Sequence, residues 1–408
     1  MELLDLDAAV RLLRTKVQSL AEVDRIPLNA ALGRVTARAE HAPRDIPAFA
    51  NSAMDGYALH FNAADFSAPP PHRFPCVGVS YAGRGFAGAV PQGAVVRIFT
   101  GAPLPADCDT VVIQENTTTD GDVVQLLQKP VAGDWVRHAG HDLARGDTIV
   151  SAGTRLAPQH LGLAAAAGLT DIAVVRKPRI AFFSNGDELV DPGTTLAPGQ
   201  IYDANRVTLA ALLERLSVTA IDLGRAADTT AAIDEVLDRA SAARADIVLC
   251  SGGVSVGDAD LVRGVISRRG SIEFWRIALK PGKPVAFARV EGAWFIGLPG
   301  NPVSTFIAYL TLVRPAIEQL CGIAAAAPAR FQARLLHDLR RDAGRLELQR
   351  GILGVDDDGT PTVRNTGNQS SGMLSSICAA NCFIWLDREV GDVSAGEHVT
   401  VVPFAGYL

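Results

Sequence analysis

The spacing of apolar residues separates helical from extended stretches in the first half of the chain. Apolar residues recur at helical intervals from Leu6 to Leu20, which predicts an amphipathic helix. From about Phe49 to Val136 the chain is punctuated by Gly and Pro, and its short β-branched runs, such as Thr110–Ile113, are typical of strands. A helical pattern returns between Thr154 and Leu169, and Asp171–Val175 follows as a strand.

From Pro178 onward the pattern alternates between apolar runs and helical stretches. Strands that are apolar on both faces and alternate with helices predict a doubly wound, parallel α/β sheet. After Ala326 the helical patterns stop, and short alternating strands with turn signals predict a small separate β domain. The predicted strands of the α/β part are 179–183, 220–223, 246–250, 274–279, 284–290 and 293–298, and its predicted helices are 205–216, 229–243, 260–268 and 303–320.

Composition and charge narrow the function. A chain of 408 residues has room for roughly two to three domains. A net charge of -6 and an aromatic content of 6% argue against a nucleic-acid partner. The N-terminus has no secretory signal, no uncharged apolar run reaches the ~20 residues of a membrane span, and the six cysteines are scattered. We therefore expect a cytoplasmic protein whose cysteines are mostly small buried apolar residues.

Three loops follow strands at the same predicted sheet edge and contain unusual residues. They are Ser184–Glu188, Ser251–Asp260 and Leu298–Pro302. In an open α/β sheet, ligands bind beyond the carboxyl ends of the strands, and glycine-rich loops let backbone N–H groups approach an anion. The alternative is that the glycines only allow tight turns. Because three such loops converge, we favour a phosphate-bearing ligand, although no dinucleotide or Walker fingerprint is present.

The same edge carries several carboxylates, in Asp187, Glu188, Asp258 and Asp260, and Asp228 follows a neighbouring strand. Carboxylates beside phosphate loops repel an anion unless a hard cation such as Mg²⁺ bridges the two. Capping of a helix N-terminus explains Asp258 or Asp260 equally well without a metal. The residues alone leave both interpretations open.

Lysine is scarce, and its distribution is uneven. The 38 basic residues comprise 33 Arg and five Lys, and two of the five lie in the tetrapeptide Lys280-Pro-Gly-Lys283. Lysine is a compact point charge, whereas arginine is a planar fork suited to bidentate pairing. Two ammonium groups held in a Pro/Gly turn indicate a pocket for a small anion, with a solvated surface turn as the alternative.

At these positions the chain resembles the molybdopterin molybdenumtransferase family, which includes bacterial MoeA and the gephyrin E domain. The similar segments follow one another in order along nearly the whole chain. They are residues 47–58 (PAFANSAMDGYA), 100–105 (TGAPLP), 109–112 (DTVV), 186–189 (GDEL), 251–258 (SGGVSVGD), 280–284 (KPGKP) and 297–304 (GLPGNPVS).

The resemblance implies an elongated homodimer with four domains in each subunit. The expected units are a discontinuous N-terminal domain (1–47 and 143–177), an inserted β-rich domain (48–142), a doubly wound molybdopterin-binding domain (178–327) and a C-terminal β-barrel (328–408). The doubly wound domain is similar to the molybdopterin adenylyltransferase fold. The expected active site is a cleft between this domain and N-terminal parts of the other subunit.

The implied reaction takes adenylyl-molybdopterin and molybdate, inserts molybdenum and releases AMP, with Mg²⁺ as the cofactor. Lys280 and Lys283 would hold molybdate with Arg350 and Ser371, while Asp55 and Thr100 would reach in from the partner subunit. The resemblance also suggests the molybdopterin adenylyltransferase as a protein partner. Asp55, Thr100, Lys280, Lys283 and Asp260 are the expected catalytic residues; Ser251, Gly252, Gly253, Ser255, Pro299, Gly300 and Asn301 are expected to bind pterin and phosphate; Glu188, Asp228 and Asp258 or Asp260 are the expected metal ligands.

The chain departs from the family pattern at two places. Arg276 stands where members often have lysine, and Thr366–Gly372 reads TGNQSSG instead of TGHQGSH. A scaffold or partner-binding protein on the same fold is the main alternative function. A molybdenum storage or sensing protein is a third hypothesis, but it would need neither the acids nor a nucleotide.

Overall fold

A computed structural model describes residues 3–254, 261–323 and 328–406 of the chain. The chain begins with a helix whose apolar face packs on the later α/β domain, through Leu6, Ala9 and Leu13. This helix ends at Lys16, before the predicted Leu20, because Val17 is extended and Leu20 instead donates its N–H to the Leu320 carbonyl. The first elements are α1 (Leu6–Lys16), β1 (Val23–Pro27) and β2 (Glu40–His41).

The middle of the N-terminal half forms the β-rich unit that the Gly/Pro punctuation predicts. Its six-stranded sheet has the order β7-β4-β6-β5-β9-β8, and a separate pair joins β10 to β3. Its strands are β3 (Asn51–Ser52), β4 (Gly56–Leu59), β5 (His72–Ser80), β6 (Val95–Ile98), β7 (Thr110–Ile113), β8 (Thr117–Asp120), β9 (Val123–Leu126) and β10 (Val136–Arg137).

The chain then returns to its first elements. β11 (Thr148–Val150) pairs with β2, and β12 (Asp171–Val175) pairs with β1. The helix α2 (Pro158–Ala166) lies between them and packs in a separate small core. The segments on either side of the β-rich unit therefore pair with each other and share one small core.

An α/β domain follows, and its sheet has the order β16-β13-β17-β21-β20-β18. Apolar clusters cover both faces of the sheet, as strands apolar on both sides require. The long C-terminal helix of the domain is interrupted by a π turn at Tyr309–Val313. The elements are β13 (Arg179–Asn185), β14 (Leu189–Val190), β15 (Ile201–Tyr202), α3 (Ala204–Glu214), β16 (Thr219–Ala226), α4 (Thr230–Ala242), β17 (Ile247–Ser251), α5 (Leu261–Arg269), β18 (Gly270–Arg276), β19 (Leu279–Lys280), β20 (Pro284–Val290), β21 (Ala293–Leu298), α6 (Pro302–Ala308) and α7 (Arg314–Leu320).

The expectation of a parallel sheet holds for the direction of five of the six strands. β16, β13, β17 and β21 pair in parallel, whereas β20 runs antiparallel to both of its neighbours, β21 and β18. The reason is the Glu291-Gly292 turn, where both residues have positive φ and join β20 directly to β21. A parallel neighbour would need a long crossover connection, which two residues cannot supply.

The C-terminal residues close into a five-stranded barrel, which confirms the predicted β domain. The strand order is β23-β24-β22-β26-β25, and the β23–β25 pairing closes the ring. β19 of the α/β domain adds to this sheet in parallel with β23. The elements are β22 (Phe331–Leu335), β23 (Leu346–Val355), β24 (Pro361–Asn365), α8 (Ser375–Ala379), β25 (Cys382–Leu386) and β26 (His398–Pro403).

Throughout the part of the chain that the structure describes, every helix is too short or too polar to cross a bilayer.

Candidate active site

A cavity of about 890 Å³ opens at the carboxyl ends of β13, β17 and β21. The three loops that the sequence singles out all contribute to its wall, so the chain brings them together at one sheet edge. We call this cavity the large pocket. Its lining residues are Asn185, Gly186, Glu188, Leu189, Ile201, Asn205, Asp228, Ser251, Gly252, Gly253, Val254, Leu261, Pro299, Gly300, Asn301, Pro302 and Gly372.

The loop after β17 lies so close to β13 that only glycine fits. Gly252 and Gly253 both have positive φ, and a Cβ on either would overlap Asn185. Asn185 itself is buried and donates to the carbonyls of Ala226 and Ala227, at 3.2 and 3.3 Å. The glycines therefore serve a close approach of backbone to backbone, which leaves the loop's surface free of side chains and open to a ligand.

Asn205, in the first turn of α3, connects the loop after β17 to the loop after β21 by hydrogen bonds. Its Nδ2 donates to the Ser251 Oγ at 2.8 Å and to the Gly300 carbonyl at 2.7 Å. Asn205 is not predicted from the sequence, because a lone Asn at a helix start looks like an ordinary capping residue. The structure makes it the link between the loop after β17 and the loop after β21.

Two of the predicted metal ligands, Glu188 and Asp228, line the large pocket. Asp187 and Asp228 accept hydrogen bonds from each other's backbone N–H groups, at 3.1 and 3.4 Å, which fixes the two loops side by side. In the described residues no group of three or more His, Cys, Asp or Glu side chains converges as a metal cage. The predicted site residues Ser255, Asp258 and Asp260 lie outside the described residues.

A second cavity, of about 430 Å³, adjoins the first and contains the Lys-Pro-Gly-Lys turn. Pro299 and Asn301 line both cavities, and Asn301 Nδ2 donates to the Ser371 Oγ at 2.8 Å. We call this cavity the oxyanion pocket. Its lining residues are Leu279, Lys280, Pro281, Gly282, Lys283, Pro284, Pro299, Asn301, Ser304, Arg345, Glu347, Gln369, Ser370 and Ser371.

The oxyanion pocket is positively charged. Its wall contains Lys280, Lys283 and Arg345, against the carboxylate of Glu347. Lys280 Nζ lies 3.3 Å from Glu347 Oε2, whereas no acidic group among the described residues pairs with Lys283 or Arg345. The pocket therefore has an excess of two positive charges and two cations without a protein counter-ion in the described chain.

Arg350, predicted to hold molybdate, lies behind this pocket and does not line it. Its side chain is fully buried, and burial lowers the pKa of its guanidinium to about 10. Nε donates to the Ser376 Oγ at 3.0 Å and Nη2 to the Ser370 carbonyl at 3.0 Å. Arg350 thus supports the loop that carries Ser370 and Ser371, and the cation that faces the cavity from this strand region is Arg345.

Asp55 and Thr100, expected to act on the partner subunit's site, lie together in the β-rich unit and line neither cavity of their own chain. Asp55 Oδ1 accepts hydrogen bonds from the Thr100 N–H at 2.8 Å and from its Oγ1 at 2.7 Å. These hydrogen bonds keep the pKa of the Asp55 carboxyl below its ordinary value. Asp55 is therefore an ionised, oriented carboxylate at neutral pH.

A glycine-lined cavity at the edge of the doubly wound sheet adjoins a cation-rich pocket, and a β-barrel follows in the chain, which defines a multidomain α/β protein. Three family models match: "MoeA N-terminal region (domain I and II)" over residues 4–168, "Probable molybdopterin binding domain" over 181–319, and "MoeA C-terminal region (domain IV)" over 332–404. The chain belongs to the MoeA family, the molybdopterin molybdenumtransferases, which are enzymes of molybdenum cofactor biosynthesis.

Relatives along the whole chain support this assignment. The molybdopterin molybdenumtransferase of Haemophilus influenzae is 38% identical over 404 residues, covering 98% of this chain and 99% of the relative. The one from Nostoc sp. is 34% identical, covering 95% and 90%. Among solved structures, a molybdopterin biosynthesis MoeA protein from Pyrococcus horikoshii has a TM-score of 0.83 at 26% identity, covering 98% of this chain and all of the other. No comparison favours the scaffold alternative.

Proposed function

We propose that the enzyme takes adenylyl-molybdopterin and molybdate, inserts molybdenum at the dithiolene of the substrate and releases AMP. The observation that carries the proposal is the adjacency of the two cavities. A pocket suited to a phosphate-bearing ligand shares Pro299 and Asn301 with a pocket suited to a small dianion. Two substrates bound there would lie next to each other, so positioning supplies much of the catalysis.

The oxyanion pocket would take molybdate, which is a tetrahedral dianion. Lys280, Lys283 and Arg345 supply the cations, and the hydroxyl groups of Ser370 and Ser371 can donate hydrogen bonds to its oxygens. The net excess of two positive charges equals the charge of the ion. Arg345 adds a cation that was not predicted from the sequence. Arg350 holds the serine loop through Nε and Nη2, and its contact with molybdate stays a prediction, for which its buried Nη1, without a hydrogen-bond partner among the described residues, is available.

The large pocket would take the pterin and the phosphoanhydride. Its backbone approaches the ligand along Gly252, Gly253 and Gly300, where no side chain intervenes. The cavity is larger than one ring and one phosphate require. Its volume of about 890 Å³ lies in the upper part of the ~300–1,000 Å³ range of small-molecule and cofactor sites, which supports a large substrate with both a pterin and a nucleotide.

The residues present fit Mg²⁺ as the cofactor. Glu188 and Asp228 are two carboxylates on the wall of a phosphate pocket, and Mg²⁺ is commonly held by one or two carboxylates together with the phosphates of a substrate. When bound there, Mg²⁺ would neutralise charge on the phosphoanhydride. We also propose that Asp258 or Asp260 completes the set of carboxylates that hold the ion.

The active unit would be a homodimer. Asp55 and Thr100 line neither cavity of their own chain, yet Asp55 is held as an oriented carboxylate by two hydrogen bonds. A symmetric dimer can place this pair at the cavity of the other subunit. We also propose a cytoplasmic location, and direct transfer of the substrate from the molybdopterin adenylyltransferase.

AMP release tests the proposal. Purified protein is incubated with adenylyl-molybdopterin and Mg²⁺, with and without molybdate, and AMP is measured by chromatography. We expect AMP only when molybdate is present, and no AMP from Lys280→Ala. Lys177→Ala is the matched control, because Lys177 is an exposed lysine outside both cavities. Absence of molybdate-dependent AMP release from the wild-type protein would refute the proposed reaction.

Mixing two inactive variants tests the dimer. Asp55→Ala and Lys280→Ala subunits, unfolded together and refolded, form mixed dimers that contain one intact site if the two residues act across the interface. Random pairing then restores about a quarter of the wild-type activity. If Asp55 and Lys280 serve a site within one subunit, the mixture stays inactive.

A further inference from the structure

Glu347 is a buried carboxylate in the wall of a pocket that should attract anions. It is 4% exposed, and no contact of the proposed reaction uses it. A buried carboxylate is unfavourable unless cations and hydrogen bonds compensate for its lost hydration. Its Oε2 lies 3.3 Å from Lys280 Nζ and 3.3 Å from Arg341 Nε, and its Oε1 accepts a hydrogen bond from Gln349 Nε2 at 3.2 Å.

The pairing of β19 with β23 places Glu347 beside the pocket lysine Lys280. β19 of the α/β domain pairs in parallel with β23 of the barrel, and the register places Lys280 opposite Glu347. The Lys280 side chain is 45% exposed, so without this partner its ammonium group would be free to take many rotamers. The ion pair therefore fixes one pocket cation at a defined place.

The same carboxylate reaches a second pocket cation through Arg341. The Arg341 side chain is 1% exposed, and its Nη2 donates to the backbone carbonyl of Arg345 at 2.7 Å. Because Arg341 is held between Glu347 and this carbonyl, the backbone of Arg345 is tied to the same network. Glu347 thus holds Lys280 directly and is linked through Arg341 to the backbone at Arg345.

Glu347 also sets the charge of the pocket. Ionised Glu347 lowers by one the positive charge of the three cations that line the cavity, and the buried Arg341 is a fourth cation beside the same carboxylate. Without this carboxylate the positive charge around the cavity rises by one, and any small anion should be attracted more strongly.

We propose that Glu347 is the residue that determines which oxyanion the pocket selects: it holds Lys280 in place, anchors the backbone at Arg345 through Arg341 and lowers the pocket's charge, so that molybdate is bound in preference to sulfate. The inference rests on the proposed function, because molybdate is taken as the ion. Molybdate and sulfate have the same charge and shape, and molybdate is the larger. Charge alone cannot separate them, whereas cations held at a fixed distance can.

Calorimetric titration of the full-length protein with sodium molybdate and with sodium sulfate tests this. Glu347→Gln removes the charge and frees Lys280, so we expect sulfate to bind about tenfold more tightly and the preference for molybdate to fall about tenfold or more. Glu347→Asp keeps the charge but shortens the reach. It should leave sulfate affinity near wild type and weaken molybdate binding about tenfold.

The matched control is Glu273→Gln, which removes a carboxylate paired with Lys16 at 3.1 Å, outside the oxyanion pocket. It should leave both affinities unchanged. A general disruption of the structure would weaken the binding of both ions. Loss of the Glu347 charge should instead make sulfate bind more tightly to Glu347→Gln.

If both Glu347 variants prefer molybdate over sulfate as strongly as the wild-type protein does, the inference is wrong. If Glu347→Gln does not fold, as judged by thermal unfolding, Glu347→Asp decides alone, and an unchanged molybdate-to-sulfate ratio is then the contrary result. Failure of the proposed function looks different, because the wild-type protein itself would then show no binding of molybdate.

Discussion

Removal of the Asn205 side chain should separate binding of the large substrate from binding of the oxyanion. Asn205→Ala deletes two hydrogen bonds, to the Ser251 Oγ and to the Gly300 carbonyl. At about 1 kcal/mol each, the two contribute about 2 kcal/mol. Because they join the two loops that form one wall of the large pocket, much of this energy should be lost from substrate binding. That corresponds to a rise in KM for adenylyl-molybdopterin of about tenfold to thirtyfold.

Steady-state AMP release at varied concentrations of each substrate measures the effect. The KM for adenylyl-molybdopterin should rise while the dissociation constant for molybdate stays at its wild-type value, because Asn205 does not line the oxyanion pocket. The control is Asn381→Ala, which also removes two hydrogen bonds, both to the backbone of Leu353 in the barrel, at 2.7 and 2.9 Å. A wild-type KM in Asn205→Ala, or an equal rise in Asn381→Ala, would refute the reasoning.

Three further predictions concern the loops and the carboxylate of the β-rich unit. Gly253→Ala should reduce AMP release by about a hundredfold or more, since its Cβ would overlap a neighbouring side chain, while molybdate binding measured by calorimetry changes little. Arg350→Ala should lower stability by about 3 kcal/mol, seen as a fall in Tm, and weaken molybdate binding, because the serine loop loses its support. Thr100→Val should raise the pKa of Asp55 part of the way toward its ordinary value of 3.8, as an NMR titration of the carboxyl group measures, because the hydroxyl donor is lost and the backbone N–H donor stays. In the wild-type protein the lowered pKa favours the folded state above pH 3.8, and this contribution is lost as the pH falls through the lowered pKa of Asp55.

The sequence predicts the place of the large pocket because parallel strands deliver their carboxyl ends to one edge. Three unusual loops follow such strands, so their meeting requires only that the α/β pattern is correct. Gly252 and Gly253 have positive φ and pack against Asn185, a neighbour that is visible only in the fold. The expectation that these glycines also let backbone N–H groups approach an anion stays a prediction.

Strand direction was harder to predict. β20 and β21 are both apolar on two faces, and this pattern does not reveal which way a strand runs. The Glu291-Gly292 pair between them is a short turn signal that indicates a hairpin, and it outweighs the parallel pattern of the rest of the sheet. Likewise, apolar spacing continues past Lys16 because Val17 is buried, although the helix has ended there.

The residues of the oxyanion pocket mark the limit of prediction from sequence. Lys280 and Lys283 are conspicuous because lysine is rare in this chain. Arg345 and Arg350 do not stand out in the sequence, because arginine is common in this chain. Which of the two lines the pocket depends on where strand β23 begins. Arg345 lies just before the strand and lines the cavity, whereas Arg350 lies within the strand and is fully buried. The role of Glu347 likewise depends on the pairing of β19 with β23.

The central claim is that two adjoining cavities form one site, so that occupation of the oxyanion pocket controls the chemistry in the large pocket. The most direct test compares the molybdate concentration for half-maximal AMP release, in single-turnover experiments, with the dissociation constant for molybdate measured by calorimetry. We predict that the two values agree in the wild-type protein and rise together in Lys283→Ala. AMP release at an undiminished rate without molybdate, or a half-maximal concentration that stays fixed while Lys283→Ala weakens binding, would contradict the claim.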